Sequence, residues 1–158
     1  MGQLLLIIFL FLGGFANIAS AKHKEYTVFF STGHDYLNLT GVERTDTSTV
    51  LKMRCTGLPG DRFKIRRKLY LDDENSIRYP LQTAIGVKVG EYSTWPLSGV
   101  VDFELHFPPL PKHCRIFDLR TAGEVYSSFA FWGIHPKEMN LKKITEFEDN
   151  AMVVDSNI

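Results

Sequence analysis

Cysteine is scarce in this chain, with two in 158 residues, and no Cys-x-x-Cys pair occurs. That removes a dithiol redox centre and a cysteine-rich zinc scaffold. Net charge is missing as well: 18 Lys and Arg face 18 Asp and Glu, so no overall field draws in nucleic acid or an anionic membrane, although local patches remain open. Neither a Gly-x-Ser-x-Gly elbow nor a Gly-x-x-x-x-Gly-Lys loop is present, which leaves serine hydrolysis and nucleotide-phosphate chemistry without a carrier. Helical periodicity is almost absent before Pro136, and no repeat or low-complexity linker divides the chain, so one domain is expected.

What is present begins with an apolar run from Leu4 to Ala16, closed by Ala19-Ser20-Ala21 ahead of Lys22. This reads as a signal peptide over residues 1–21, cleaved after Ala21, although Met1-Gly2-Gln3 carries no Lys or Arg. The run is shorter than the roughly 20 residues that span a bilayer, so no stable membrane insertion is expected after cleavage. The mature chain is then exported, to a periplasm, a cell envelope or the medium. Its length buries roughly two-thirds of the unfolded surface, so a core can hold without metal or disulfide.

The mature part alternates apolar and polar residues in short runs, the period of strands with one buried face. Tyr26 to Phe30, Leu37 to Val42, Thr49 to Thr56, Phe63 to Ile65, Lys68 to Leu71, Ile77 to Leu81, Ala84 to Val89, Val101 to Phe107, Ile116 to Arg120 and Phe129 to Ile134 are the predicted strands. The plainest are Leu51, Met53 and Cys55 against Lys52 and Arg54, and Val101, Phe103, Leu105 and Phe107 against Asp102, Glu104 and His106. Pro108-Pro109 stops the latter, since two residues without amide donors cannot sit in a ladder. Gly86 fits a bulge or close backbone approach, and Pro80 places its strand at a sheet edge or ends it there. Many short strands between Gly, Pro and Asx turns predict an all-β, immunoglobulin-like antiparallel β-sandwich over residues 22–136. Leu141, Ile144, Phe147 and Ala151 have helical spacing, so residues 137–158 are expected to form a short helix or a flexible tail.

The succession Tyr70-Leu71, Tyr79-Pro80-Leu81, Ile85-Gly86-Val87, Phe103 through Lys112, Phe117-Asp118-Leu119 and Phe131-Trp132-Gly133-Ile134 resembles a β-sandwich module of exported Bacteroidetes-type proteins. The resemblance covers roughly positions 37 to 135, and its most specific part is the Phe-x-Leu-x-Phe-Pro-Pro-Leu-Pro stretch with the later Trp-Gly-Ile. It implies a fold and an extracytoplasmic compartment. In that family the module often precedes a thioredoxin-like thiol–disulfide oxidoreductase domain, and it supplies no catalytic residue.

Several residue groups are candidate sites. Lys64, Arg66, Arg67 and Lys68 form the one dense positive run; it reads either as a contact for an anionic partner or as a solvated cationic edge that discourages strand aggregation, its field partly neutralised by the acidic turn Asp72-Asp73-Glu74. Those three carboxylates are expected to be solvated in a hairpin turn. Tyr92, Trp95 and Tyr126 fall in predicted connections, where flat rings can stack on a sugar or enter a partner's pocket. Cys55 and Cys114 are a candidate disulfide that would add roughly 4 kcal/mol by closing a long loop. The apolar strand position of Cys55 and the strand-entrance position of Cys114 favour two separate thiols. His106, His113, Cys114 and His135 match no zinc spacing. No catalytic residue, metal or cofactor is therefore expected. The preferred function is a non-catalytic binding or interaction module of the cell envelope with a protein or glycan partner and no nucleic acid; the alternative is an accessory domain for extracytoplasmic thiol–disulfide proteins.

Overall fold

The computed structural model describes residues 24–33, 35–122 and 129–138. The expected signal peptide, nearly all of the expected C-terminal helix or tail, and Tyr126 lie outside the described residues. Among the described residues twelve strands follow in order: β1 Tyr26–Thr27, β2 Phe30–Thr32, β3 Leu37–Arg44, β4 Thr49–Thr56, β5 Arg62–Lys64, β6 Leu69–Asp73, β7 Arg78–Pro80, β8 Thr83–Ile85, β9 Tyr92–Thr94, β10 Val100–Phe107, β11 Phe117–Thr121 and β12 Ala130–Pro136. Among the described residues there is no helix. The protein is all-β, with antiparallel sheets packed together in a sandwich-like arrangement.

One sheet has the order β3-β4-β10-β8 and the other β1-β12-β11-β6-β7, with β2 also paired to β12. A separate ribbon joins β5 and β9. The central pair of the first sheet shows why period two matters. β4 and β10 run antiparallel with Phe103 opposite Met53 and Leu105 opposite Leu51, so both strands present the same face inward at the same rungs. Leu51, Met53, Cys55, Phe103, Leu105 and Phe107 are buried, while Arg54 and Asp102 meet on the outer face, Arg54 Nε donating to Asp102 Oδ1 at 2.7 Å. The second sheet answers with Leu71, Phe117, Leu119, Phe131 and Ile134 in the same buried cluster.

Chain punctuation works as the residue types demand. Gly86 has φ +87°, and a Cβ there would lie 2.8 Å from the Asp102 carbonyl oxygen; the close approach lets β8 pair with β10. β7, carrying Pro80, is a sheet edge. After β10 the Pro108-Pro109 segment leaves the ladder, and Leu110 N donates instead to the buried Thr49 hydroxyl at 3.1 Å. Arg44 then pins the crossing to the other sheet, donating to the carbonyls of Cys114 and Pro111 at 2.7 Å each. The Phe-Pro-Pro-Leu-Pro stretch is thus a connector between sheets, held by side-chain hydrogen bonds where backbone pairing is impossible.

Candidate functional site

The positive run spans the last residue of β5, Lys64, and the connection from there to β6. Ile65 is buried and forms a parallel bridge to Val89, and its carbonyl accepts from Gly90 N at 2.7 Å. Lys68 O accepts from Ala122 N at 2.8 Å, and Arg67 O accepts from Leu69 N at 3.2 Å. These bonds hold the backbone of the segment in place, with Arg67 and Lys68 exposed and Lys64 and Arg66 half-buried. Lys64, Arg66, Arg67 and Lys68 line an open pocket of about 200 Å³ together with Gly90 and Ala122. Gly90 has φ +81°, a conformation that favours glycine, and a Cβ there would push on the Arg67 side chain, 2.8 Å from its Nε. Among the described residues Lys64, Arg67 and Lys68 form no ion pair. Four cations around one depression raise the local potential for an anion, and the concave wall limits screening on one side.

The expectation of solvated acids at the neighbouring turn is corrected by the structure for Asp72 and Asp73, while Glu74 is exposed. Asp72 and Asp73 are buried. Asp73 Oδ1 accepts from Asn75 N and Ile77 N, both at 2.9 Å, and Oδ2 accepts from the Tyr79 hydroxyl at 3.2 Å. Asp72 is clamped between Arg78 Nε and Arg120 Nη1, at 3.2 Å each. Glu74 Oε1 accepts from Arg115 N at 2.6 Å and Ile116 N at 2.8 Å. Glu74 binds the β6–β7 hairpin to the entrance of β11, Asp72 reaches Arg120 within β11, and Asp73 closes the hairpin turn itself. Asp73 and Glu74 close backbone donors that a tight turn leaves unpaired, and the charge of Asp72 is met by two arginines.

Of the candidate aromatic surface, Trp95 is corrected by the structure. Trp95 is 6% exposed, its ring 4.2 Å from that of Phe63 and edge-on to Tyr36 at 6.1 Å. Gly57 leaves room for the indole, since a Cβ there would fall 2.2 Å from Trp95 Cε2. The ring leaves the solvent because it follows a strand, β9, that sequence reading missed: Tyr92 and Thr94 point out, Ser93 lies opposite inward Phe63, and Trp95 folds over that apolar end. The alternation Tyr92-Ser93-Thr94 between Gly90 and Pro96 was the available signal. Tyr92, 62% exposed, stays on the surface opposite Lys64. The Arg62 guanidinium carbon lies 4.3 Å, and Lys64 Nζ 5.2 Å, from its ring centroid. Tyr92 therefore orders the cations bordering the pocket.

Cys55 and Cys114 are separate, buried, free thiols. Burial, with a smaller contribution from the Asp102 charge, pushes Cys55 up to about 11, and burial also raises Cys114. Cys114 Sγ donates to Ile116 O at 3.3 Å. Neither is poised as a thiolate for exchange. The histidines are dispersed: His106 Nε2 lies 3.0 Å from Glu104 Oε2, while His135 is buried with Nδ1 2.6 Å from Gly133 O. Among the described residues no group of three or more His, Cys, Asp or Glu side chains is arranged to hold a metal.

Comparison of the chain with family models, with curated proteins and with solved structures finds no match in any of the three.

Proposed function

We propose that the chain is a non-catalytic binding module of immunoglobulin-like sandwich type that works outside the cytoplasm and takes an anionic group in the Lys64-Arg66-Arg67-Lys68 pocket. The observation that carries this reading is the convergence of four cations on one depression of about 200 Å³, while the acids next in sequence are engaged with Arg78, Arg120 and backbone amides. The strand orders support the finer fold. β3-β4-β10-β8 follows the A-B-E-D order of an immunoglobulin sandwich, and β12-β11-β6-β7 follows G-F-C-C′. The departure is the inter-sheet disulfide of antibody domains, for β11 holds no cysteine. Export is supported by the apolar Leu4 to Ala16 run with Ala19-Ser20-Ala21 and by the resemblance to envelope modules.

The test is titration of the mature chain with two soluble anionic probes, a short inorganic polyphosphate and a polygalacturonate oligomer. Arg67→Glu/Lys68→Glu is compared with Lys112→Glu, whose lysine pairs with Asp46 on the exposed surface. At roughly 0.01 M salt the native chain binds at least one probe, the pocket variant binds at least tenfold more weakly, the control is unchanged, and binding fades as the screening length shrinks toward about 3 Å near 1 M. Absence of binding to both probes at low salt overturns the proposal.

A further inference from the structure

The ribbon that borders the pocket ends in a second feature that anion binding alone does not use. Two turns lie side by side beyond its strands. In the first, Asp61 N donates to Leu58 O at 3.1 Å across Pro59-Gly60; in the second, Gly99 N donates to Pro96 O at 2.9 Å across Leu97-Ser98. They are joined by Gly57 N to Gly99 O at 2.9 Å and Gly60 N to Trp95 O at 3.1 Å. This fixed tip displays Leu97 at 96% and Leu58 at 72% exposure. Single exposed leucines need no explanation. Two on adjacent, cross-bonded turns, above a buried tryptophan that stiffens their base, form one apolar point.

The cations follow directly. Arg62 and Lys64 project from the outer face of β5, and Tyr92 from the facing strand β9. At about 3.3 Å per residue the three-residue strands put them within about 10 Å of the tip. Between Gly57 and Lys68 the sequence holds five cations and a single acid, Asp61. An apolar point at the tip, followed along one ribbon by Arg62 beside Thr94 and then Lys64 beside Tyr92, matches the layers of an anionic lipid surface from acyl chains to headgroups. A soluble sugar polymer offers no apolar phase to a convex leucine tip.

Resting on the pocket reading, we infer that the anionic groups recognised by this chain belong to a lipid surface, on which the β5–β9 ribbon docks reversibly with Leu58 and Leu97 dipping below the headgroups. The contact is peripheral: two side chains enter, and the sheets stay in water.

The experiment compares co-sedimentation of the mature chain with vesicles of phosphatidylcholine alone and vesicles containing phosphatidylglycerol, at low salt, beside titration with the soluble polyphosphate. The variant Leu58→Ser/Leu97→Ser removes side chains that pack on almost nothing, so folding is preserved. A Leu97→Cys chain carrying an environment-sensitive dye reports insertion directly, since the two native thiols are buried. The native chain partitions onto the anionic vesicles and not onto the neutral ones. The serine variant partitions at least tenfold less while keeping its polyphosphate affinity, and the dye emission shifts to the blue only with anionic vesicles. Polyphosphate binding without vesicle binding overturns the lipid inference and leaves the pocket reading standing; loss of both in the native chain overturns the pocket reading. Vesicle binding unaffected by the serines, or serines that weaken polyphosphate and vesicle binding equally, also overturns the lipid inference, the apolar point then acting elsewhere, such as in a protein pocket.

Discussion

Replacing Asp73 by alanine separates a structural carboxylate from a solvated one. The side chain accepts two backbone donors at 2.9 Å, from Asn75 and Ile77, and the Tyr79 hydroxyl at 3.2 Å, and the residue is only 7% exposed. A buried donor left unpaired costs about 1–3 kcal/mol. Asn75 and Ile77 sit in an exposed turn where water can partly replace the lost oxygen, so the lower end applies to each, and Asp73→Ala should destabilise by about 2–4 kcal/mol in total. Asp73→Asn keeps an acceptor oxygen for both amides and should cost about 1 kcal/mol or less. Tyr79→Phe should cost about 0.5–1.5 kcal/mol, the worth of one net hydrogen bond, and nothing further in the Asp73→Ala background. Urea unfolding followed by tryptophan fluorescence, with m-values compared to confirm a common unfolded state, measures all four. If Asp73→Ala lies within about 0.5 kcal/mol of the native chain, the carboxylate is an ordinary surface acid and the structural account of the turn is wrong.

Three further outcomes follow from local geometry. Ser76 holds φ +60°, a conformation that costs a side-chain-bearing residue roughly 1–2 kcal/mol, so Ser76→Gly should be neutral or stabilising by up to about 1 kcal/mol in the same urea assay. Gly86→Ala combines positive φ with a Cβ 2.8 Å from the Asp102 carbonyl oxygen and 3.2 Å from Phe103 Cα; both obstacles are backbone, so a loss of about 2–4 kcal/mol and weakened amide protection of β8 and β10 are expected. Cys55 should resist a thiol reagent in the native chain at pH 8 and react on unfolding. Its folded value of about 11 lies above the ordinary 9.0, so between these pH values the unfolded chain releases the proton first and stability falls as pH rises, by up to about 2–3 kcal/mol. Below pH 9 this group contributes no slope, and a Cys55→Ser chain should lose the alkaline component.

Period-two burial made much of the fold legible. Thr49 to Thr56 and Val101 to Phe107 were readable as strands because Leu51, Met53, Phe103 and Leu105 alternate with charged neighbours, and the observed register pairs those same faces. Short polar strands carry too few repeats for that signal, which is why β9 escaped and Trp95 was placed in a connection as a candidate surface ring. Residue type alone marks Asp72-Asp73-Glu74 as a turn, yet the partners of Glu74 at Arg115 and Ile116 and of Asp72 at Arg120 lie more than forty positions away, where no local pattern reaches. The cationic run was legible as a run. Its pocket was not, because the walls come from Gly90 and Ala122, brought in by the Ile65–Gly90 and Lys68–Ala122 backbone bonds.

The central claim, that the pocket between the β5–β9 ribbon and β6 is where an anion is held, is tested most directly by amide chemical-shift mapping of the labelled mature chain during titration with polyphosphate at low salt. The account predicts shifts confined to residues 64–68, Gly90 and Ala122, with Tyr92 following. Shifts centred on another surface, such as the outer edge of β3, or a spectrum that does not move, would contradict it.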